Sequence, residues 1–382
     1  MDTLRSVRVR NFKAIRDSGS FKLGPLTVFI GNNGAGKSSL IEAMQLFQSV
    51  VLDGADTAFA PFGGIQHVRH KEARSFKNRA AGNAGAQTAP VVVELRANGA
   101  STGPVHATMK LNNSPTLGAY VQDEEVVTRS IQLRRDFAAH AAELGAERSM
   151  IAPTGDARAV YQAVERWQFV ALMPDLMGGA RPQQRVRGKV RLGRDGTNLA
   201  GYMLDLAERA PDALNGVVDA MRFVLPYAAD MRPVMPDTRI DQRVYLELKE
   251  RNFDVPGWLF SSGTLRMLAI LCLLRDPDPP PVIFIEELEN GLDPRTIGLL
   301  VEEIRHAVKT RHTQIIATTH SPYLLDQLLF EHVVVVERNA EGHPEFWRPT
   351  DERALDVWAQ DFSLGQIYTM GQLHREPKKG QA

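Results

Sequence analysis

The chain has 382 residues, 43% of them hydrophobic, with 45 basic and 45 acidic side chains and a formal net charge of +0. This length and apolar content support a sizeable core and two or more domains and exclude wholesale disorder. The balanced charge excludes a globally basic nucleic-acid binder, so any such surface must come from uneven distribution.

The opening "LRSVRVRNFKAI" alternates apolar and polar residues, which predicts a strand. It contains no apolar signal region, and no run along the chain reaches the ~18 apolar residues of a membrane span, so a cytoplasmic protein without a membrane partner is expected. A second strand, "LTVFI", runs into the Gly-rich "GNNGAGKSS", and a helix is predicted from about Lys37 to Val51. Residues 52 to 115 are looser. "RAAGNAGAQTAP" reads as an exposed turn or loop, and "VVVELRA" and "VHATMKL" read as antiparallel strands. A helix is predicted over Arg134 to Leu144, then two more in 197–225, divided at Pro211, and "RVYLELKE" is another strand. Beyond 261 a helix from about Thr264 to Leu274 ends at "DPDPPP", because proline cannot continue it. This helix carries the only cysteine, Cys272, which reads as a buried thiol; one cysteine allows neither a disulfide framework nor a four-cysteine zinc site. "VIFIEE" is a buried strand ending in carboxylates. "DPRTIGLLVEEIRHAVK" is a helix with Asp293 as N-cap and Pro294 in its first turn. "QIIATTH" is a strand, and "VVVVER" with "HPEFWRP" forms a closing hairpin. The pattern predicts an α/β domain split between 1–60 and 255–382, with an α+β insertion over 61–254, and neither repeats nor a long heptad coil.

The strongest motif is Gly31, Asn32, Asn33, Gly34, Ala35, Gly36, Lys37 and Ser38, followed by Ser39, which fits G-x-x-x-x-G-K-S without a gap. Glycines let successive N–H groups curl around phosphate oxygens, and the following helix adds the positive end of its dipole. Lys37 would reach the β- and γ-phosphates and the Ser38 hydroxyl would hold Mg²⁺. Glu286 and Glu287, at the end of an apolar strand, are the natural second half: Glu286 for the water shell of the metal, Glu287 to orient or deprotonate the attacking water. "FSSGTLRML" opens a helix with a Ser-rich turn, which is either a second phosphate site or an ordinary N-cap. His320 follows the next strand at the edge where such sheets bind ligands. This set predicts a P-loop NTPase that binds ATP and Mg²⁺.

The combination of phosphate loop, "SSGT", "FIEELENGLDP" and "TTHSP" resembles the ABC-type ATPase heads of the RecF and structural-maintenance-of-chromosomes branch. More closely, it resembles stand-alone AAA/ABC-like ATPases related to the OLD type, found in DNA metabolism and phage defence. The resemblance covers about 1–50 and 255–350 strongly and 52–190 weakly. It implies a head-to-head homodimer around two ATP molecules, with Ser261 and Gly263 touching the γ-phosphate held by the other subunit. His320 would then sense that phosphate, Glu287 would be the catalytic glutamate, and Asn290, Gly291 and Asp293 would lie in the loop crossing the interface. Gln66, or His67 beside it, stands as the loop residue near Mg²⁺. The chain departs from the family pattern at Glu286, more often aspartate, at Ser262, and at Asp293, often histidine in close relatives.

"RPQQRVRGKVRLGR" places Arg181, Arg185, Arg187, Lys189, Arg191 and Arg194 in a stretch without acids. Strand alternation would put Arg185, Arg187, Lys189 and Arg191 on one face, a stripe for duplex DNA or a face for an acidic partner. "HVRHKEARSFKNR" is a second basic cluster. Two functions therefore compete: a DNA-associated ATPase for repair or defence, and a slow ATP-gated scaffold holding a separate nuclease or toxin, since no nuclease pattern follows the hairpin.

Overall fold

A computed structural model describes residues 2–74, 88–136, 145–182, 189–236, 243–352 and 361–375, together with Leu355 and Trp358. By compactness the chain forms two units, residues 1–167 with 328–382 and residues 168–327.

The first unit begins with β1 (Thr3–Phe12), predicted from its alternation, and β2 (Leu26–Ile30), buried at every position. Helix α1 (Lys37–Asp53) follows and buries Leu40, Ile41, Met44, Phe47 and Val50. The antiparallel strands β3 (Val91–Gly99), β4 (Gly103–Ser114), β5 (Gly118–Val127) and β6 (Gln132–Asp136) extend the sheet that β1 starts, in the order β1-β3-β4-β5-β6. β4 and β5 alternate buried and accessible residues along most of their length, as one apolar face requires, while β3 is buried throughout Val91–Val93. The predicted helix over Arg134–Leu144 is corrected at its start. Arg134 pairs with Glu125 and Arg135 with Glu124 in the β5–β6 ladder, and opposite charges across strands override helix propensity there. Residues 137–144 lie outside the described residues, as does most of "RAAGNAGAQTAP". Arg135 is fully buried and donates to Gly145 O at 2.7 Å and to Arg148 O. Helix α2 (Arg158–Glu165) meets α1, where Gln48 Nε2 donates to Val164 O and Trp167 O at 2.8 and 2.9 Å and Phe47 stacks on Trp167.

The second unit opens with β7 (Gln168–Val170), followed by α3 (Leu199–Arg209) and α4 (Pro211–Val224), divided at Pro211 as predicted. Strands β8 (Asp230–Val234) and β9 (Arg243–Lys249) pair antiparallel. Helix α5 (Ser262–Arg275) is buried from Thr264 to Leu274, the mark of a core helix. Cys272 is enclosed in it, and burial pushes its thiol well up from the ordinary value, so it is inert packing. β10 (Val282–Ile285), α6 (Pro294–Thr310), β11 (Gln314–Thr319) and the short α7 (Pro322–Asp326) complete the unit. β10 lies between β7 and β11, parallel to both, and Phe169 stacks on Phe284 at 4.4 Å. Parallel strands buried on both faces read as continuous apolar runs, which is why "VIFI" and "QIIATT" stood out in the sequence.

The chain returns to the first unit with β12 (Val333–Arg338), parallel to β2, and β13 (Pro344–Trp347), antiparallel to β12. This is the predicted hairpin. No helix among the described residues is long and apolar enough to cross a membrane.

Candidate functional site

In the first unit β2 delivers the chain into the loop Gly31–Gly36, and α1 starts at Lys37. Gly34 and Gly36 have φ of +73° and +116°, a region that favours glycine. Gly31 is required for a different reason: a Cβ there would sit 2.0 Å from Val336 O on β12. The loop exposes Asn32, Asn33 and Gly34 and buries Ala35, Gly36 and Lys37. Lys37 Nζ donates to Gly31 O at 2.7 Å and Asn32 O at 3.1 Å, so the ammonium is held across the loop it would share with a phosphate. No side chain caps the start of α1, leaving its first N–H groups for an anion. Ser38 is exposed and Ser39 partly so, at the mouth of the same helix. A curled backbone, an uncapped helix start, an amine and an exposed hydroxyl together fit a Mg²⁺-triphosphate. Lys37 and the loop N–H groups would hold the phosphates, and Ser38 the metal.

Arg338 on β12, absent from the sequence reading, donates to Gly34 O at 3.0 and 2.6 Å and clamps the loop tip. Nothing in the sequence signals it, because the contact depends on β12 lying beside β2. Gln66 is exposed, and its amide donates to Gly63 O at 3.1 Å in its own turn; His67 is exposed beside it. The second basic cluster is partly structural. Arg69 is buried and donates to Asn112 at 2.7 Å and Asn113 at 3.0 Å, while the His70 ring packs edge-on to His343.

In the second unit β10 ends at Ile285, and Glu286 and Glu287 follow. The Glu286 amide donates to Val170 O at 2.9 Å, and its carboxylate takes an ion pair from Arg194 at 2.7 Å. Glu287 adopts a left-handed backbone, φ +51°, unusual for a residue with a side chain. Two contacts hold it there. Its amide donates to Thr318 Oγ1 at 2.9 Å, and its carboxylate accepts from Asn290 Nδ2 at 2.8 Å. Glu289 accepts from the His320 amide at 2.6 Å and so fixes the turn that carries His320 beyond β11. Arg266, buried on α5, donates to Leu172 O at 2.9 Å; burial lowers its pKa, opposed by Glu287 and Glu289 nearby.

Ser261 caps α5, accepting from Thr264 N at 3.1 Å. Gly263 packs so tightly that a Cβ would lie 2.5 Å from Gly291 O. Asp293 caps α6 as predicted, accepting from Arg295 N at 2.9 Å and Thr296 N at 3.1 Å, and the Thr296 hydroxyl bond lowers its carboxyl pKa. The second unit therefore gathers Glu286, Glu287, Asn290, Gly291, Gly263 and the His320 turn around one strand end. Arg194, Thr318, Glu289 and Arg266 support them and were not singled out for these roles in the sequence.

The basic stretch is corrected where it is described. Arg185 and Arg187 lie outside the described residues. Lys189 and Arg191 stand in irregular backbone rather than a strand. Lys189 faces Asp276 at 3.1 Å and Asp278 at 3.6 Å, so its charge is neutralised within the unit.

Residues 3–76 match a family of AAA ATPase domains. Residues 143–326 match an AAA-domain family whose description names the AbiEii toxin and type IV toxin–antitoxin systems. Among solved structures, an SMC head bound to the C-terminal winged-helix domain of ScpA is similar at TM-score 0.58 and 14% identity, over 93% of this chain and 99% of that one. An SMC head domain with an extended coiled coil, bound to the C-terminal domain of ScpA derived from Pyrococcus furiosus, is similar at 0.54 and 11%, over 94% and 99%. At these identities the likeness establishes the fold: a P-loop NTPase of the SMC-head, ABC-ATPase type. No curated protein matches the chain. The two family matches and the fold together make the chain similar to AAA-type ATPases with an SMC-head-like, P-loop NTPase fold.

Proposed function

We propose that the protein binds ATP with Mg²⁺, hydrolyses it, and dimerises head to head around two nucleotides, acting in DNA metabolism or phage defence. The observation that carries hydrolysis is the left-handed Glu287, a strained carboxylate pinned by Thr318 and Asn290 at the end of β10. A residue stays in that region only where its surroundings impose it, and such strain concentrates at functional sites. Bound Mg²⁺ would neutralise developing phosphate charge. On this reading the loop from Gly31 to Ser39 binds the phosphates, with Lys37 on the β- and γ-groups. Ser38 and Glu286 face the metal, with Gln66 a further candidate. Glu287 holds the attacking water and takes its proton. His320 senses the γ-phosphate, and Ser261 and Gly263 meet the nucleotide of the second copy.

One observation favours a second reading, an ATP-gated scaffold of slow turnover that holds a separate effector such as a nuclease or toxin. Arg194 neutralises Glu286, the metal-side carboxylate. The toxin-associated family match points the same way, as does the binding of ScpA domains by the similar SMC heads.

The test is ATP hydrolysis by the purified protein with and without duplex DNA, beside Glu287→Gln, with both sized in ATP. Turnover stimulated by DNA, with a trapped dimer in the variant, is the expected result. Dimerisation without turnover or DNA response supports the scaffold. Neither binding nor assembly with ATP refutes both.

A further inference from the structure

At one end of the sheet in the first unit lies a depression of about 500 Å³ bordered by Arg5, Arg96, His106 and Arg129, with no acidic residue in its lining. Three features of the fold assemble it. Between Leu4 and Ser6 the β1–β3 register shifts, and the bulge leaves Leu4 and Val7 buried but turns Arg5 out. Ser6, Arg96, His106 and Val127 are direct partners across β1, β3, β4 and β5, so they form one row. Beyond Val127 a turn is fixed by Thr128, whose Oγ1 accepts from Ser130 N and Ile131 N at 3.2 and 3.1 Å. That turn carries Arg129 against Gly103 at the head of the β3–β4 hairpin, with its Nε 3.5 Å from where a Cβ would stand on Gly103.

The charge here is not neutralised. With its amide oxygen turned towards it, Asn98 orients Arg5, accepting at 3.3 and 3.2 Å. Arg96 and Arg129 are exposed and form no ion pair among the described residues. Further along β1 and β4, every outward cation named is paired: Arg8 with Asp17, Arg10 with Glu94, and Lys110 with Asp123 at 2.7 Å. Among the described residues of these strands, unpaired cations therefore cluster at this depression and do not continue along β1 and β4 as a stripe. A polymer backbone needs a continuous track of cations. A trio of guanidinium groups beside the accessible Pro104 and Val127 suits a compact anion with an apolar body.

We propose that this pocket is a second ligand site, taking an organic phosphate of nucleotide size, with Arg5, Arg96 and Arg129 holding the phosphate. The proposal does not depend on the ATP reading. Its test uses the full chain carrying Lys37→Ala, which disables the phosphate loop, titrated calorimetrically at low salt with inorganic pyrophosphate, with adenosine monophosphate and with a 12-base-pair duplex. Saturable binding of pyrophosphate and the monophosphate is expected, weakened about tenfold by Arg129→Ala and by Arg96→Ala and partly kept in Arg129→Lys, since each substitution removes one charge-assisted contact. Arg129 sits at an exposed turn, so its variant keeps the test usable if Arg96→Ala folds poorly. No binding, or binding unchanged in both alanine variants, overturns the proposal. Duplex binding that depends on the same arginines and strengthens with duplex length also overturns it, because it makes the site part of a nucleic-acid track.

Discussion

Asp276→Ala should unfold the second unit more readily than any other single carboxylate change in it. Asp276 follows α5 directly and is fully buried. One oxygen accepts from Tyr202 at 2.8 Å and Arg209 at 2.5 Å and faces Lys189 at 3.1 Å; the other accepts from Arg209 and the Asp278 amide, both at 2.9 Å. Burial alone would raise its carboxyl pKa, but Arg209, Asp278 and Tyr202 outweigh burial and hold it below the usual range. Removing it strands the hydroxyl of the buried Tyr202 and leaves Arg209, among the described residues, only its Nε bond to Asp205 at 2.7 Å. Breaking a buried pair by deleting one partner costs roughly 3–5 kcal/mol. Tyr202→Phe removes one neutral donor to the charged carboxylate, at roughly 1.5–3 kcal/mol. Lys189→Ala removes a partly exposed pair, at under about 1 kcal/mol. Urea unfolding followed by circular dichroism checks this ordering. A loss below about 1 kcal/mol for Asp276→Ala, or one equal to that of Lys189→Ala, would refute the idea that this carboxylate anchors α3 to the end of α5. The pH behaviour gives a second check. Because the folded pKa lies below the unfolded one, the stabilisation is present above about pH 4 and is lost as pH falls through the folded value. Asp276→Asn should flatten that acid limb.

Gly31→Ala forces a Cβ against Val336 O and should weaken nucleotide binding more than tenfold with little secondary-structure loss; fluorescent-nucleotide titration beside circular dichroism measures both. Arg194→Ala frees Glu286 from a half-exposed ion pair and should strengthen Mg²⁺-dependent nucleotide binding by roughly two- to fivefold, in line with surface pairs of up to about 1 kcal/mol; a weakened response to Mg²⁺ contradicts it. His70 is held below its ordinary pKa by burial, with His343 and Arg16 adding to the shift against Glu72. The folded state therefore binds fewer protons, so stability is present above about pH 6.5 and falls as pH drops through the folded value. Melting temperatures from pH 7.5 to 5 should fall less in His70→Gln than in the wild-type chain.

The sequence alone determined whatever depends on local pattern. The loop from Gly31 to Ser39 was legible because phosphate binding needs glycines, a lysine and a hydroxyl at fixed spacing between a strand and a helix. β10 and β11 were legible as apolar runs because parallel strands are buried on both faces. The caps Asp293 and Ser261 were legible because capping acts within four residues. The second helix of the 197–225 pair announced its start through Pro211. Tertiary structure decided what depends on residues distant in sequence. Arg134 and Arg135 entered a strand because Glu125 and Glu124 lie opposite. Lys189 left the expected basic stripe for the buried Asp276, since a carboxylate out of water attracts a cation more strongly than solvent does. Arg338 reached Gly34 because β12 runs beside β2, and Arg194 reached Glu286 from 92 residues away. The strain at Glu287 was equally invisible, because no local rule puts a glutamate in the left-handed region. Thr318 and Asn290 hold it there, and the Thr318 contact exists only after β10 and β11 have paired.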